Sequence, residues 1–344
     1  MIYKKRNGNL KNLTKYSSFF DDPNFPLNTG KSGWPWSPVQ FLNPQAVPAS
    51  DFPRITVITP SFNQGQFIEE TIRSVLLQGY PNLEYIIIDG GSTDDSVEII
   101  KKYEPWLAYW VSEADQGQSY AINKGIKKAT GDWIAWLNAD DIYLQNAFFK
   151  IATTISQSTK PLSWIVGTTV FTDLELHEIG RFEPSMYTAP GRDLNYEPAG
   201  WIDFVLNEHA GIALPQPSSF WLRRAVIQAG GIDESLRFDM DHELYGRLAY
   251  QGFRPLLIED VLAYFRVHQA QKSSNYPLLF WKEELKVVNN WSNRVKGIEK
   301  EKLENYWIWL NRKIKYYPLR IFIQSMKSRF KKIRNFLDYF YKRI

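Results

Sequence analysis

The 344-residue chain contains no cysteine. This excludes disulfides, Cys-ligated zinc and iron–sulfur clusters, and it permits a reducing compartment without requiring one. An uninterrupted apolar run of about 18 residues, the length a membrane-crossing helix needs, is also missing. The basic start Met1–Arg6 leads into polar Asn7–Asn12, where a secretory signal would place its apolar stretch. Internal repeats and low-complexity tracts are absent. Histidine is scarce, with four in the whole chain, so any role for one rests on its surroundings. What remains is the composition of a globular protein, 44% hydrophobic, large enough for one big domain or two ordinary ones with appendages.

The formal charge of +4 averages two unlike regions. Residues 301–344 hold 12 Lys/Arg against 3 Asp/Glu, leaving 29 against 34 in the first 300 residues. A mildly acidic body therefore bears a strongly basic tail. In the tail, Phe330, Ile333, Leu337, Phe340 and Ile344 recur at helical steps with Lys331, Lys332 and Arg334 between them. Such a helix suits an anionic membrane surface, and equally a face packed on the body of the protein with its charges in water. Nucleic acid is a poorer partner, because the acidic body repels a polyanion.

Residues 1–53 show no sustained period and read as an irregular arm held by aromatics such as Trp34 and Trp36. From Arg54 the pattern becomes regular. Ile55–Thr59, Tyr85–Ile88, Leu107–Val111 and Trp133–Leu137 read as strands. Helical stretches at Phe67–Gln78 and Ser119–Ala129, and one after Ser92 or Thr93 as cap, alternate with them. This alternation predicts an α/β fold with a mostly parallel central sheet flanked by helices, whose ligands gather at the carboxyl ends of the strands. Further strands are expected at Trp164–Phe171 and Ser218–Leu222, with a strand pair at Pro255–Ile258 and Leu262–Phe265; helices are expected at Arg223–Ala229 and Asp241–Gln251. Beyond Tyr276 the chain turns helical and basic. The expected divisions are 1–53, 54–150, 151–275 and 276–344.

Three of the first four strand ends present acids. Asp140 and Asp141 follow the fourth strand; adjacent carboxylates repel unless a cation or strong donors hold them, and a hard divalent ion resolves this. A helix N-cap with an acidic first turn explains the same pair without metal. Asp89 ends the second strand, where an acid can accept from a ribose hydroxyl or simply shape an Asx turn into Gly90-Gly91. Asp115 follows the third strand. A G-x-G-x-x-G turn is missing after strand one, which argues against a dinucleotide fold, and the uncharged loop Ser61–Gln66 argues against a nucleotidyltransferase. Asp241 opens a helix as either a first-turn acid or a general base.

The order of motifs is more telling than any one of them. Thr59-Pro60-Ser61-Phe62-Asn63, Ile88-Asp89-Gly90-Gly91-Ser92-Thr93-Asp94, the run from Asn123 to Asp132, and Leu137-Asn138-Ala139-Asp140-Asp141 resemble family 2 glycosyltransferases of the GT-A fold. Gln216–Arg224 and Gly230–Glu234 extend that resemblance, which spans Arg54 to Ser273. It implies an inverting, nucleotide-sugar-dependent transferase, with UDP-sugar as first expectation and GDP- or dTDP-sugars behind it. By the same resemblance, Thr59, Pro60, Ser61 and Asp89 bind the nucleoside, and Asp140 binds Mn²⁺ or Mg²⁺ across the diphosphate. His268 stands near that metal, and Asp241 is the catalytic base. Asp115, Asn138, Asp141 and Gln216 fall in the donor- or acceptor-sugar region, and Asp173–Gln216 shapes the acceptor pocket. The implied acceptor is a glycan or lipid-linked glycan in cell-surface polysaccharide synthesis. The implied place is the cytoplasm, with peripheral attachment to its membrane.

The sequence also departs from the family pattern. Asn138 replaces the first acid of D-x-D, Gly90 the second acid of the nucleotide motif, and Met240 the Glu before the base. Ile122 stands where relatives carry Arg or Lys, and no Q-x-x-R-W follows Asp241, which argues against processive synthesis. Asn138 and Met240 keep open a binding protein with a degenerate site.

Overall fold

The computed structural model describes residues 22, 24–26, 30–37, 52–182, 214–269, 271–272 and 276–318. Most of the 173–216 segment and all of the 327–344 amphipathic stretch lie outside these. The chain divides into two compact units, Met1–Gln271 and Lys272–Ile344.

The first unit is built on one nine-stranded sheet in the order β3-β2-β1-β4-β8-β6-β9-β5, with β7 paired to β6. Its parallel part comprises β1 (Ile55–Ser61), β2 (Leu83–Asp89), β3 (Tyr109–Ser112) and β4 (Trp133–Trp136). Every residue of β1, β2 and β4 is buried, the continuous apolar run of strands covered on both faces. Between them lie α1 (Ile68–Leu76), α2 (Ser96–Tyr103) and α3 (Gln118–Lys128). The face bearing Val57, Tyr85, Ile87 and Ala135 packs on Ile68, Ile72 and Val75 of α1, on α2, and on Phe148 and Ile151 of α4 (Ala147–Gln157). The opposite face meets α3. Gly125 sits so close to β1 that a Cβ there would lie 2.4 Å from Ile58.

Beyond β4 the sheet is mixed. β8 (Ser219–Leu222) runs antiparallel to both β4 and β6 (Trp164–Thr172). β9 (Pro255–Arg266) is parallel to β6 and antiparallel to the short β5 (Ile142–Tyr143). β7 (Glu178–Phe182) folds back on β6 as a hairpin, so the second half lacks the strand–helix alternation of the first. The strand pair expected at 255–265 is one strand; exposed Glu259 and Asp260 lie inside it where its register with β6 shifts. α5 (Arg223–Gln228) and α6 (Met240–Tyr250) follow β8, and Trp221 stacks on Trp136 at 4.5 Å and approaches Tyr245 of α6.

The described part of the N-terminal arm is anchored on α1. Buried Arg73 donates to the carbonyls of Pro35 (3.1 Å) and Pro26 (2.7 Å), with its guanidinium over Phe25 and Trp36. Trp34 donates to the Tyr143 carbonyl and Trp36 to Glu70. In the second unit, α7 (Pro277–Ser292) meets the helix at 297–318 where Trp281 stands edge-on to Tyr317 at 5.0 Å and the Tyr306 hydroxyl donates to Glu284; Val288, Trp291, Leu303 and Leu310 are buried. Among the described residues, no helix is long and apolar enough to cross a membrane.

Buried Glu84 locks the start of β1 to the turn before β4. Its carboxylate accepts from Thr56 Oγ1 (2.5 Å), Thr130 N (2.7 Å) and Oγ1 (2.7 Å), and Arg54 Nη2 (3.1 Å). Burial penalises the charge, but the bonds from Thr130 and Thr56 and the Arg54 guanidinium outweigh it and hold Glu84 below the usual carboxylate range. A depressed carboxyl contributes stability above its unfolded value of about 4.3 and loses it as pH falls through the folded value. Glu84→Gln is therefore expected to cost about 3 kcal/mol near neutral pH, with a flatter loss of stability below about pH 5 than wild type, read by urea unfolding.

Candidate active site

The first feature at the carboxyl ends of the parallel strands is a caged acid. Asp89, fully buried at the end of β2, accepts from Ser61 Oγ (3.0 Å), Ser112 Oγ (2.7 Å), Ser92 Oγ (2.5 Å), Ser92 N (2.9 Å) and Gly91 N (3.1 Å). Register makes this meeting inevitable, since Asp89 is paired with Ser61 on one side and Ser112 on the other. Asn63, in the left-handed region at φ 52°, then ties the two loops together: its N–H donates to Ser92 Oγ, and its Oδ1 accepts from Thr93 N. Ser92 and Thr93, read as caps for α2, serve this loop instead. The acid at the helix start is Asp94, which accepts from Ser96 N and Gly65 N.

This rigid loop presents Phe62, 61% exposed beside Ser61. The sequence reading named its neighbours and passed it over; a lone aromatic in a polar loop was the available signal. Pro60 is buried within β1. Thr59 is fully buried, its hydroxyl 3.0 Å from the Tyr85 hydroxyl, so its side chain is committed inward.

The second feature is the tight turn after β4. Thr71 Oγ1 faces two carbonyls, Ala139 O (2.9 Å) and Asp141 O (2.8 Å), and holds the turn on α1. Its two acids then part. Asp141 points inward, receiving Arg266 N (3.2 Å) and Asn138 Nδ2 (3.2 Å). Burial, and after it the Asp140 charge, push its carboxyl well above the usual range. Asp140 stays half-buried, and its Oδ2 lies 2.9 Å from His268 Nε2. His268 is delivered there by β9, whose last residue Arg266 is pinned to Glu70 of α1 at 2.6 Å and lies over Phe67. Phe67 also packs against the His268 ring at 4.7 Å.

Asn138, in place of an acid, is wired into a chain of amides. Its Oδ1 accepts from Gln118 Nε2 (2.7 Å), its Nδ2 donates to Gln216 Oε1 (3.2 Å), and Gln216 Nε2 donates to the Trp136 carbonyl (2.6 Å). Sequence reasoning missed Gln118, which gives no local signal at a helix start. The next residue, Ser119, donates to Leu236 O (2.6 Å) and meets Met240 Sδ (2.9 Å), so α3 touches both the 138–141 turn and the start of α6. Asn123 bonds Ile232 through both its oxygen and its nitrogen, fixing the loop that leads to α6.

Asp241 lies in the first turn of α6 with its side chain 24% exposed. Its Oδ1 accepts from His242 N, while the His242 ring is bonded to Asp239 rather than to it. Burial and the Asp241 charge both raise the Tyr245 phenol one turn along, which keeps that hydroxyl protonated. Asp115, after β3, is half-buried and, among the described residues, accepts only from Gly117 N (2.8 Å). Burial pushes its carboxyl upward over that opposing bond, and the Asp89 charge adds to the rise.

Residues 56–196 match the Glycosyl transferase family 2 model. Over that stretch the chain has the sequence of a family 2 glycosyltransferase domain. An uncharacterized glycosyltransferase of Mycobacterium tuberculosis (strain CDC 1551 / Oshkosh) is 44% identical over 90 residues, 26% of this chain and 34% of that protein. The chain thus spans about a third of that relative's length. An uncharacterized glycosyltransferase of Rickettsia prowazekii (strain Madrid E) is 27% identical over 256 residues, 73% of this chain and 74% of its own. Among solved structures, S. aureus TarS 1-349 in complex with UDP-GlcNAc superposes with TM-score 0.52 at 17% identity, covering 76% and 73% of the two chains. The mannosyltransferase PcManGT from Pyrobaculum calidifontis, in complex with GDP-Man and Mn2+, gives 0.52 at 19% identity, covering 75% and 70%. These likenesses place the chain in the GT-A fold.

Asn138 tests how many acids the turn tolerates. A carboxylate there replaces a donor to Asp141 with a third negative group beside Asp140 and Asp141. Asn138→Asp is expected to lower stability by about 2 kcal/mol without added cation, with much of the loss restored by Mn²⁺ in thermal melts.

Proposed function

We propose that the chain is an inverting transferase that moves a sugar from a nucleotide sugar, UDP-sugar first, to a glycan or lipid-linked glycan hydroxyl in cell-surface polysaccharide synthesis. The observation that carries this reading is the Asp140–His268 pair, 128 residues apart in sequence and 2.9 Å apart at the strand ends. A carboxylate and an imidazole converging there, with no other hydrogen bond to the Asp140 side chain among the described residues, fit a divalent ion that takes its remaining oxygens from diphosphate and water. Asp140 and His268 would hold Mn²⁺ or Mg²⁺. Such an ion supplies charge neutralisation to a departing diphosphate.

In this reading the nucleoside lies against Pro60, Ser61 and the Asp89 loop, with Phe62 offering a stacking face. The amide chain Gln118–Asn138–Gln216 and the inward Asp141 hold the turn in place behind Asp140. The acceptor hydroxyl oxygen bonds to the anomeric carbon as the bond to the diphosphate breaks. Asp241 takes the hydroxyl proton, and the nucleoside diphosphate leaves. Attack from the face opposite the leaving group inverts the anomeric centre, with no covalent intermediate. Residues 54–150 supply the donor half, and residues 151–275, with Asp241, the acceptor half. Donors of this kind are cytoplasmic metabolites, which places the chain there; its basic extension, residues 276–344, docks it on an anionic membrane face.

The competing reading is a nucleotide- or carbohydrate-binding protein, favoured by Asn138 and Met240. Incubation with nucleotide sugars and Mn²⁺, assayed for nucleoside diphosphate release, separates the two. Turnover abolished by Asp140→Ala is expected, and tight binding without turnover on any acceptor would favour the competitor. Asp241→Asn is expected to keep nucleotide binding while transfer falls about 10²-fold or more; unchanged transfer would remove Asp241 as base. For the extension, deletion of residues 327–344 is expected to reduce flotation with phosphatidylglycerol vesicles, and equal flotation would contradict the docking role.

A further inference from the structure

The segments that carry Asp140 and His268 are each tied to a tryptophan of the N-terminal arm, the second through Glu70. Trp34 Nε1 donates to the Tyr143 carbonyl at 2.7 Å. Tyr143 lies in β5, directly after the turn that bears Asp140, and it pairs with Ala263 of β9. Trp36 Nε1 donates to Glu70 Oε1 at 3.0 Å, and Glu70 Oε2 accepts from Arg266 Nη2 at 2.6 Å. Arg266 ends β9, and the chain then delivers His268 to Asp140.

The second connection has little slack. Arg266 is 2% exposed, and among the described residues Glu70 is the only hydrogen-bond partner of its guanidinium, whose Nε has none. A buried cation with a single partner goes where that partner goes. Trp36 fixes the other Glu70 oxygen, with Lys31 Nζ 3.7 Å from it as a further cation. The arm is itself stiff at this point. Trp36 N and Ser37 N donate to the Gly33 carbonyl at 2.6 and 2.7 Å, Gly33 N donates to Ser37 Oγ at 3.0 Å, and the Arg73 guanidinium lies 4.7 Å from the Trp36 ring. One closed turn thus presents both indoles.

We infer that Trp34 and Trp36 are positioning residues for the Asp140–His268 pair, so that the 33–37 turn of the arm sets how tightly the pair takes a divalent ion. The inference rests on the metal-binding reading above. Groups held at a fixed spacing bind an ion without first being ordered, and loosening either of them lowers affinity although both remain present.

The test compares the full chain with Trp34→Phe and Trp36→Phe, which keep an aromatic ring and remove the indole N–H. Trp106→Phe is the control: it removes an indole bond to Asp22 of the same arm, in the turn that leads to the amino end of β3. Mn²⁺ binding is read from the free-ion electron paramagnetic resonance signal, with and without UDP. The His268 ring is followed in the metal-free chain by ¹H–¹³C NMR, as one of four histidines, identified by its loss in His268→Gln. Trp34→Phe and Trp36→Phe are each expected to bind Mn²⁺ about three- to tenfold more weakly. Their His268 signal is expected to be displaced before any metal is added, and Trp106→Phe is expected to match wild type in both readouts. A contact that only stabilises the fold would lower the urea midpoint and leave the affinity and the His268 signal as in wild type. That result in either variant overturns that residue's assignment and leaves the metal reading intact. Equal weakening in Trp106→Phe overturns both assignments, because any loosening of the arm would then act alike. Wild type that takes up no Mn²⁺ removes the metal reading and the positioning role together.

Discussion

The hydrogen-bond cage around Asp89 is the constraint on which the rest of the site is built. A fully buried carboxylate is tolerable only when its lone pairs are met, and here three serine hydroxyls and two backbone N–H groups meet them. Those donors come from β1, β3 and the loop after β2, so one charge fixes the relative heights of three strand ends. Asn63 then has a firm partner in Ser92 and Thr93, and Phe62 is presented from a loop that cannot relax inward. Acidity at this position is therefore used chiefly to set geometry.

The second acid pair follows a different logic. Two adjacent carboxylates after β4 are kept apart by direction, with Asp141 turned into the protein against Arg266 N and Asn138 and Asp140 turned out to His268. Neutral amides at Gln118, Asn138 and Gln216 complete the turn, which spares the buried Asp141 a further like charge. The Arg266–Glu70 ion pair carries the end of β9 to α1, and this places His268 opposite an acid so far away in sequence. The mixed half of the sheet thus brings His268 to the strand ends of the parallel half.

The parallel half was legible because its strands are continuous apolar runs bounded by turn residues, and because buried strands permit little else at Ile55–Ser61 or Leu83–Asp89. The second half was less so. β9 read as two strands because Glu259 and Asp260 interrupt its apolar run, yet a strand whose register shifts beside β6 can carry exposed acids. β5 is two residues long and exists only through its pairing with β9. The site acids stood out by type and position, but their states did not. Whether Asp89 is saturated, Asp141 inward or Asp115 short of partners depends on donors brought from other strands. Met240 shows the same limit: its contact with Ser119 joins residues 121 apart.

The central claim is that the carboxyl ends of β1, β2 and β4 hold a nucleoside diphosphate with a divalent ion on Asp140. A crystal structure of the chain with the nucleoside diphosphate and Mn²⁺ tests it most directly, since anomalous scattering locates the ion unambiguously. The account predicts manganese bonded to Asp140 and the diphosphate, beside His268, with the Asp89 cage unbroken. Nucleotide bound elsewhere, or manganese remote from Asp140, would contradict it.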